Sequence, residues 1–360
     1  GLIKRLSKKP DGKEENQVGY IISRFGIQEK GENCLYSSTR NVLYFHGLRL
    51  TEPEVYFAFN GVNSVFYPAL QKYGFLDIIE HLENHLLPDH LIIRRGTPGP
   101  SIGKELYSII RRDLPVSLVM RAKDATYSKT LVSSGASGRH VSVLYGLDLE
   151  RDEVYMWDNY ILDKIRNVSH YSGASAFSKL QPGILEYFWI EVFSREPIDF
   201  SALLCRSLSG FLEGKAVGGT VTGEQGLLAY LNSLSAFLQD AKSLRDKSYE
   251  IYFTLRVSTY EAFLSALVQI LKKIDGSGIP GYSGFLLEGE RLRKKWDTFA
   301  VQLLRFGMKN QPENVQRLLL QLPDMACNQE SYFRNLMCKL LDSGILLNPK
   351  EGSYYSKKAV

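Results

Sequence analysis

The periodicity of the chain changes once, near residue 195, and this limits the fold more than any other feature. Up to about Phe193, helical segments are followed by short apolar runs of β-branched or alternating character. Beyond Ser194-Arg-Glu-Pro197 the spacing is helical almost throughout. This order predicts an α+β fold, with helices packed beside an antiparallel sheet and an all-helical region after them. It does not suit the alternating strand–helix units of a nucleotide-binding sheet. We therefore expect one domain over 1–195 and a helical second domain over 196–360. A chain of 360 residues is long enough for both to bury a core.

Leu35 to His46 reads as a helix, with Leu35, Thr39 and Val42 at helical spacing and Gly47 closing it. Thr51 caps a second helix that tolerates Pro53 in its first turn, and Ser101 to Asp113 is a third. Pro115 to Met120, His140 to Tyr145, Glu153 to Asp158 and Ile184 to Phe193 read as strands. In the second part, helices are expected over Glu224 to Gln239, about Asp246 to Ile274, Gly284 to Phe306 and Pro312 to Leu341. Gly276 to Gly281 breaks two of them. No fixed-period repeat is present, which argues against a solenoid.

Forty-four basic residues against 39 acidic ones give a net charge of +5, too even a balance for a dedicated nucleic-acid binder. Arg94-Arg95, Arg111-Arg112 and the Arg291 to Lys295 cluster read as solvated faces on which an anionic partner could dock. The four cysteines, Cys34, Cys205, Cys327 and Cys338, form no CxxC pair and read as free thiols of a reducing cytoplasm. The first 16 residues are polar, with no apolar core of signal-peptide length. The most apolar run, Gly183 to Phe193, is too short for a bilayer and carries two glutamates. The expectation is a cytoplasmic protein with no membrane contact. His81 and His85 lack the glutamate placement of HExxH and read as a solvated helix face, so no metal is expected. Gly214 to Gly226 contains no phosphate-binding glycine pattern. Trp296, with Phe299 and Leu303, reads as core, and Cys205, Cys327 and Cys338 as small packing residues.

Cys34 stands apart from the other three. A polar Gly31-Glu32-Asn33 runs into the helix it begins, and the free amides and dipole of a helix start favour a thiolate. A cysteine in a helix is ordinarily an inert core residue, and it is the position at the helix start that argues otherwise. His140 begins an alternating strand after the small-residue loop Ser133 to Gly138. Asp158 ends the next strand, where its carboxylate can meet the His140 ring and fix its tautomer. Asn159 is the alternative for that role. Alternation lets only one of the two face inward, and Asp158 is the choice. Gln28, six residues before Cys34, can donate to the oxyanion of a tetrahedral intermediate alongside the Cys34 amide. Glutamine, a helix-starting cysteine, then histidine and aspartate on successive strands is the order a papain-like cysteine enzyme requires.

Asn33-Cys-Leu-Tyr-Ser-Ser-Thr-Arg-Asn-Val-Leu-Tyr-Phe-His-Gly47 and Leu50-Thr-Glu-Pro-Glu-Val55 resemble the N-terminal domain of the butirosin biosynthesis protein H family. His140-Val-Ser-Val-Leu-Tyr-Gly-Leu-Asp148 and Trp157-Asp158-Asn159 sit where that family carries its histidine and acidic residue. Gly223 to Tyr230 and Arg291 to Trp296 resemble its helical domain. The resemblance implies a papain-like fold and an acyltransferase of antibiotic assembly. In that chemistry the cysteine takes an acyl group from the phosphopantetheine arm of an acyl carrier protein and passes it to an amine or diamine, forming an amide. It implies no cofactor beyond that arm. Cys34 would be the nucleophile, His140 the base, Asp158 its orienting acid and Gln28 an oxyanion donor. The helical domain would form a substrate lid.

Two other readings stay open. The same residues suit a cysteine peptidase or amidase, because only the nucleophile reaching the acyl-enzyme separates hydrolysis from transfer. A non-enzymatic carrier-binding scaffold would instead have a Cys34 that is unreactive towards alkylating agents.

Overall fold

The computed structural model describes residues 19–134, 138–163, 167–239, 243–343, 345–348 and 353–356. The polar stretch 1–16 and residues 135–137 of the loop before His140 lie outside the described residues. In chain order the first part contains β1 (Tyr20–Ile21), α1 (Cys34–Phe45), α2 (Glu52–Ala58), β2 (Val65–Tyr67), β3 (Lys72–Gly74) and α3 (Ile78–Glu83). Next come β4 (Leu91–Gly96), α4 (Ile102–Ile110), β5 (Val116–Arg121), α5 (Lys129–Ser134), β6 (Arg139–Asp148), β7 (Glu153–Leu162), β8 (Val168–Ala176), α6 (Phe177–Leu180) and β9 (Ile184–Val192). The second part holds α7 (Phe200–Glu213), β10 (Ala216–Val217), β11 (Thr220–Thr222), α8 (Gly223–Phe237), α9 (Leu244–Ser258) and α10 (Tyr260–Gly276). It ends with α11 (Ser283–Met308), α12 (Pro312–Leu319), α13 (Leu322–Ser343), β12 (Ile345–Asn348) and β13 (Ser353–Ser356). The fold is α+β: helices on antiparallel sheets first, a helical region after. Among the described residues no helix is long and apolar enough to cross a membrane.

Packing divides the chain into two compact units, one of residues 1–52 and 88–195, the other of 53–87 and 196–360. The chain thus crosses between them at 52/53, at 87/88, and at 195/196, where the sequence changes character.

The first unit is built on one sheet of order β4-β9-β5-β6-β7-β8, with β1 beside β6 and every pairing antiparallel. Its middle strands are apolar because they are covered: Val116 to Met120 of β5 are all buried, as are Val141, Val143 and Leu144 of β6. Asp148 closes the β6–β7 hairpin, its Oδ1 accepting the amides of Glu150 (3.1 Å) and Arg151 (3.0 Å). Helix α1 packs on β6 and β7, and Ser38 Oγ donates to the Val141 carbonyl (3.2 Å). Beside it, Phe25 stacks on Tyr145 (5.6 Å between ring centroids) and meets Trp157 edge-on (6.0 Å). Strands β4 and β8 were not expected. Both lie at sheet edges, where a strand can carry the arginines of β4 or the serines and glycine of β8 and so lose its apolar signature.

In the second unit the core is aromatic. Phe263 of α10 stacks on Phe333 of α13 (4.1 Å) and meets Phe211 of α7 (5.3 Å) and Phe57 of α2 (5.8 Å). Trp296 is 1% exposed and packs on Tyr260 (5.3 Å). Strand β2 pairs with β11, Phe66 opposite Val221, and this ties residues 53–87 to the helices.

Several expectations are corrected. The long helix expected over Asp246 to Ile274 is two helices, broken at Thr259, whose backbone is extended (φ −116°, ψ −161°) while its hydroxyl donates to the Leu255 carbonyl (2.8 Å). Pro312 to Leu341 is likewise split, because Pro323 suits only a first helical turn. Helix α7 was not expected, although Asp199 caps it by accepting the Ala202 amide (3.0 Å). His81 is buried rather than solvated and stacks on Phe75. Cys327 and Cys338 are exposed and Cys205 half-buried, so none of the three is the core residue expected.

Candidate active site

Cys34 is the first residue of α1, and the residues directly before it build the cap. Asn33 is extended (φ −147°, ψ 133°), and its Oδ1 accepts the amides of Leu35 (2.8 Å) and Tyr36 (3.4 Å). One step earlier, the buried Glu52 carboxylate accepts the amides of Glu32 (3.0 and 3.1 Å) and Asn33 (2.8 Å). Burial pushes Glu52 up to about 7, against the pull of Arg40 and the two amides. These bonds do not use the amide of Cys34, one of the first-turn donors that lack an intrahelical acceptor. The thiol is half-buried, and no acidic residue occupies the first turn.

The β6–β7 register delivers the next two groups. Val143 lies opposite Trp157, which puts residue 142 opposite Asp158 and His140 two positions away on the same side. Such diagonal neighbours touch when their side chains are long. His140 Nε2 lies 2.6 Å from Asp158 Oδ2, with the two residues only 5% and 1% exposed. The side chain of Cys34 is a second hydrogen-bond partner of the ring. Burial alone would pull the imidazole down. The Asp158 carboxylate and then Cys34 more than offset it, and His140 stands at about 10. A histidine between a carboxylate and a thiol is the arrangement in which the neutral imidazole takes a proton from sulfur and the resulting imidazolium later gives it to a leaving group.

Asp158 is itself held. Tyr127 donates to the same Oδ2 (2.8 Å), and the Tyr160 amide donates to Oδ1 (3.0 Å). Burial and the neighbouring carboxylate keep the Tyr127 hydroxyl protonated by raising it well above its ordinary value.

Asn159, the alternative to Asp158, turns to another partner set. Its Oδ1 accepts from Trp157 Nε1 (2.7 Å) and from Asn41, and its Nδ2 donates to the carbonyls of Ile27 (2.8 Å) and Glu29 (2.5 Å). Gln28 lies between those carbonyls, exposed, with a side chain that makes no hydrogen bond among the described residues. The structure thus brings Cys34, His140 and Asp158 into one bonded set and leaves Gln28 on a loop outside it. Two glycines shape that loop. Gly26 takes a positive φ (90°) against the Trp157 indole, and a Cβ on Gly31 would meet Ser37 Cβ at 2.5 Å.

Sequence reasoning missed Tyr127, Glu52 and Asn41. Only Asn41 had a signal: Cys34, Ser38 and Asn41 recur at four- and three-residue steps on a buried helix, a polar stripe where an apolar one is expected. Two of the basic pairs also come together at the β4–β9 edge. Arg94 and Arg112 share Glu191 (3.8 and 3.4 Å), while Arg95 and Arg139 share Glu186 (3.0 and 3.8 Å).

Compared with known proteins, the chain matches no protein-family model and no curated sequence.

Proposed function

We propose that the chain is a cysteine-dependent acyltransferase of papain-like fold, moving an acyl group from the thioester of an acyl carrier protein to an amine. The observation that carries this reading is the Cys34–His140–Asp158 relay at a helix start, with His140 Nε2 2.6 Å from the carboxylate. The choice of thioester donor and amine acceptor draws on the resemblance of the Cys34 and His140 segments to the butirosin biosynthesis protein H family.

In the first half-reaction the Cys34 sulfur attacks the thioester carbonyl, whose oxygen becomes an oxyanion. The Cys34 amide and the Gln28 side chain are the donors for that oxygen. Collapse breaks the bond to the pantetheine sulfur, which leaves with a proton from the His140 imidazolium. In the second, an amine attacks the acyl-enzyme and His140 takes its proton. Expulsion of the Cys34 thiolate completes the amide. Asp158 carries no proton in either half and keeps the His140 ring oriented through Nε2.

Intact mass after incubation with an acyl-loaded carrier protein tests this. Wild type should gain one acyl group, Cys34→Ala none, and an added amine should discharge the adduct faster than water does. Discharge by water alone would assign a hydrolase, and the absence of any adduct across several acyl groups would overturn the reading.

A further inference from the structure

We propose that Asn159 is a positioning residue that holds the oxyanion side of the site through the two carbonyls flanking Gln28. This rests on the acyl-transfer reading above. A side-chain amide offers two acceptor sites and two donors, and Asn159, 1% exposed, uses all four: Trp157 and Asn41 donate to it, and it donates to Ile27 and Glu29. Its backbone carbonyl also accepts the Gly31 amide (2.9 Å), and Asn41 Oδ1 accepts the Ile27 amide (3.2 Å). Residues 27, 29 and 31 are therefore each tied to Asn159 or Asn41. Gln28 is bracketed by fixed neighbours while its own amide stays uncommitted. A surface glutamine ordinarily rides a loop hydrated by water. Here a buried asparagine fixes the backbone on both sides of one free donor, which is how a preorganised donor is held without being consumed.

The position of Asn159 adds a second point. It directly follows Asp158, so one dipeptide of β7 fixes both the proton-transfer pair and the loop across from it. A small shift of β7 moves both together.

A double-mutant cycle tests the coupling. Asn159→Asp keeps the shape and both accepted bonds, and replaces the two donations by a charge facing two carbonyls. Single-turnover acylation by an acyl-N-acetylcysteamine thioester is compared with iodoacetamide alkylation of Cys34 across pH, read on the Cys34 peptide. Alkylation passes through no oxyanion, so it reports the thiol and His140 alone. Asn159→Asp and Gln28→Ala should each slow acylation by about 100-fold, the scale for losing one oxyanion donor. The double variant should be no slower than Gln28→Ala, and the alkylation profiles should coincide with wild type. Multiplying losses in the double variant would overturn the proposal, as would alkylation falling in step with acylation. Should Asn159→Asp fail to fold, Asn159→Ser, which is too short to reach both carbonyls, enters the same cycle. Wild type that alkylates at Cys34 yet accepts no acyl group would overturn the acyl-transfer reading and this role with it. Wild type that is acylated while the losses multiply would overturn this role alone.

Discussion

Tyr127 and His140 meet on a single atom: both reach Oδ2 of Asp158, at 2.8 and 2.6 Å. The carboxylate is shared between a phenol that stays neutral and an imidazole that it holds protonated. Its second oxygen is fixed by the Tyr160 amide (3.0 Å). The orientation of His140 is therefore set by the turn that carries Tyr127 as well as by the pairing of β6 with β7.

His140 is raised from 6.5 to about 10. A histidine whose folded value lies above its unfolded one contributes stability that is complete below 6.5 and lost as pH rises through about 10. Denaturant unfolding of wild type should weaken across that window. Asp158→Asn removes the main charge opposing burial, so His140 should fall below 6.5 and the decline should vanish. Imidazole NMR titration reads the same change, and an unaltered His140 titration in the variant would contradict it.

Tyr127→Phe removes one hydrogen bond to a buried carboxylate and little volume. The expected loss of stability is about 1.5–3 kcal/mol, the range for bonds to charged groups, measured by urea unfolding. A loss below about 0.5 kcal/mol would mean that Asp158 gains nothing from the phenol.

Glu52 predicts a pH effect in the same direction as that of His140, over a lower window. Burial raises it from 4.5 to about 7, so its folded-state contribution is full below 4.5 and fades as pH climbs through about 7. The buried histidines His46, His81 and His85, held at about 4, 3 and 4, act the other way in acid. The comparison of wild type with Glu52→Gln cancels them. Between pH 4.5 and 7 the variant should gain on wild type by roughly 3 kcal/mol at most, at 1.36 kcal/mol per unit. Parallel pH profiles would refute the shift.

Gly307 of α11 faces Ser248 of α9 so closely that a Cβ there would overlap the serine side chain. In an exposed helix Gly→Ala stabilises by up to about 1 kcal/mol. Here overpacking should reverse the sign, giving a loss of about 1–3 kcal/mol. Adding Ser248→Gly should recover most of it. A stabilised Gly307→Ala would show that the helices part without cost.

Much of this was legible in the chain. The Cys34 helix, the hairpin that brings His140 to Asp158 and the shift to helices after Pro197 all follow from local periodicity and turn chemistry. Part of what escaped depends on partners distant in sequence. Tyr127 lies 31 residues before the carboxylate it serves, in a segment with no pattern of its own. Strands β4 and β8 are too polar at their sheet edges to be told from loops. The breaks at Thr259 and before Pro323 interrupt an apolar stripe that continues on both sides, so periodicity alone runs straight through them.

The excursion of residues 53–87 has a consequence for how the molecule can be taken apart. A cut after Arg195 would separate β2 from β11, its partner 155 residues on at Val221 and Phe66, and leave a bare strand edge on one fragment and a loose hairpin on the other. Neither unit is a continuous stretch of gene. A helical half borrowed from another protein by a single recombination event would arrive without the piece that completes it, so the two units must be inherited, expressed and redesigned as one.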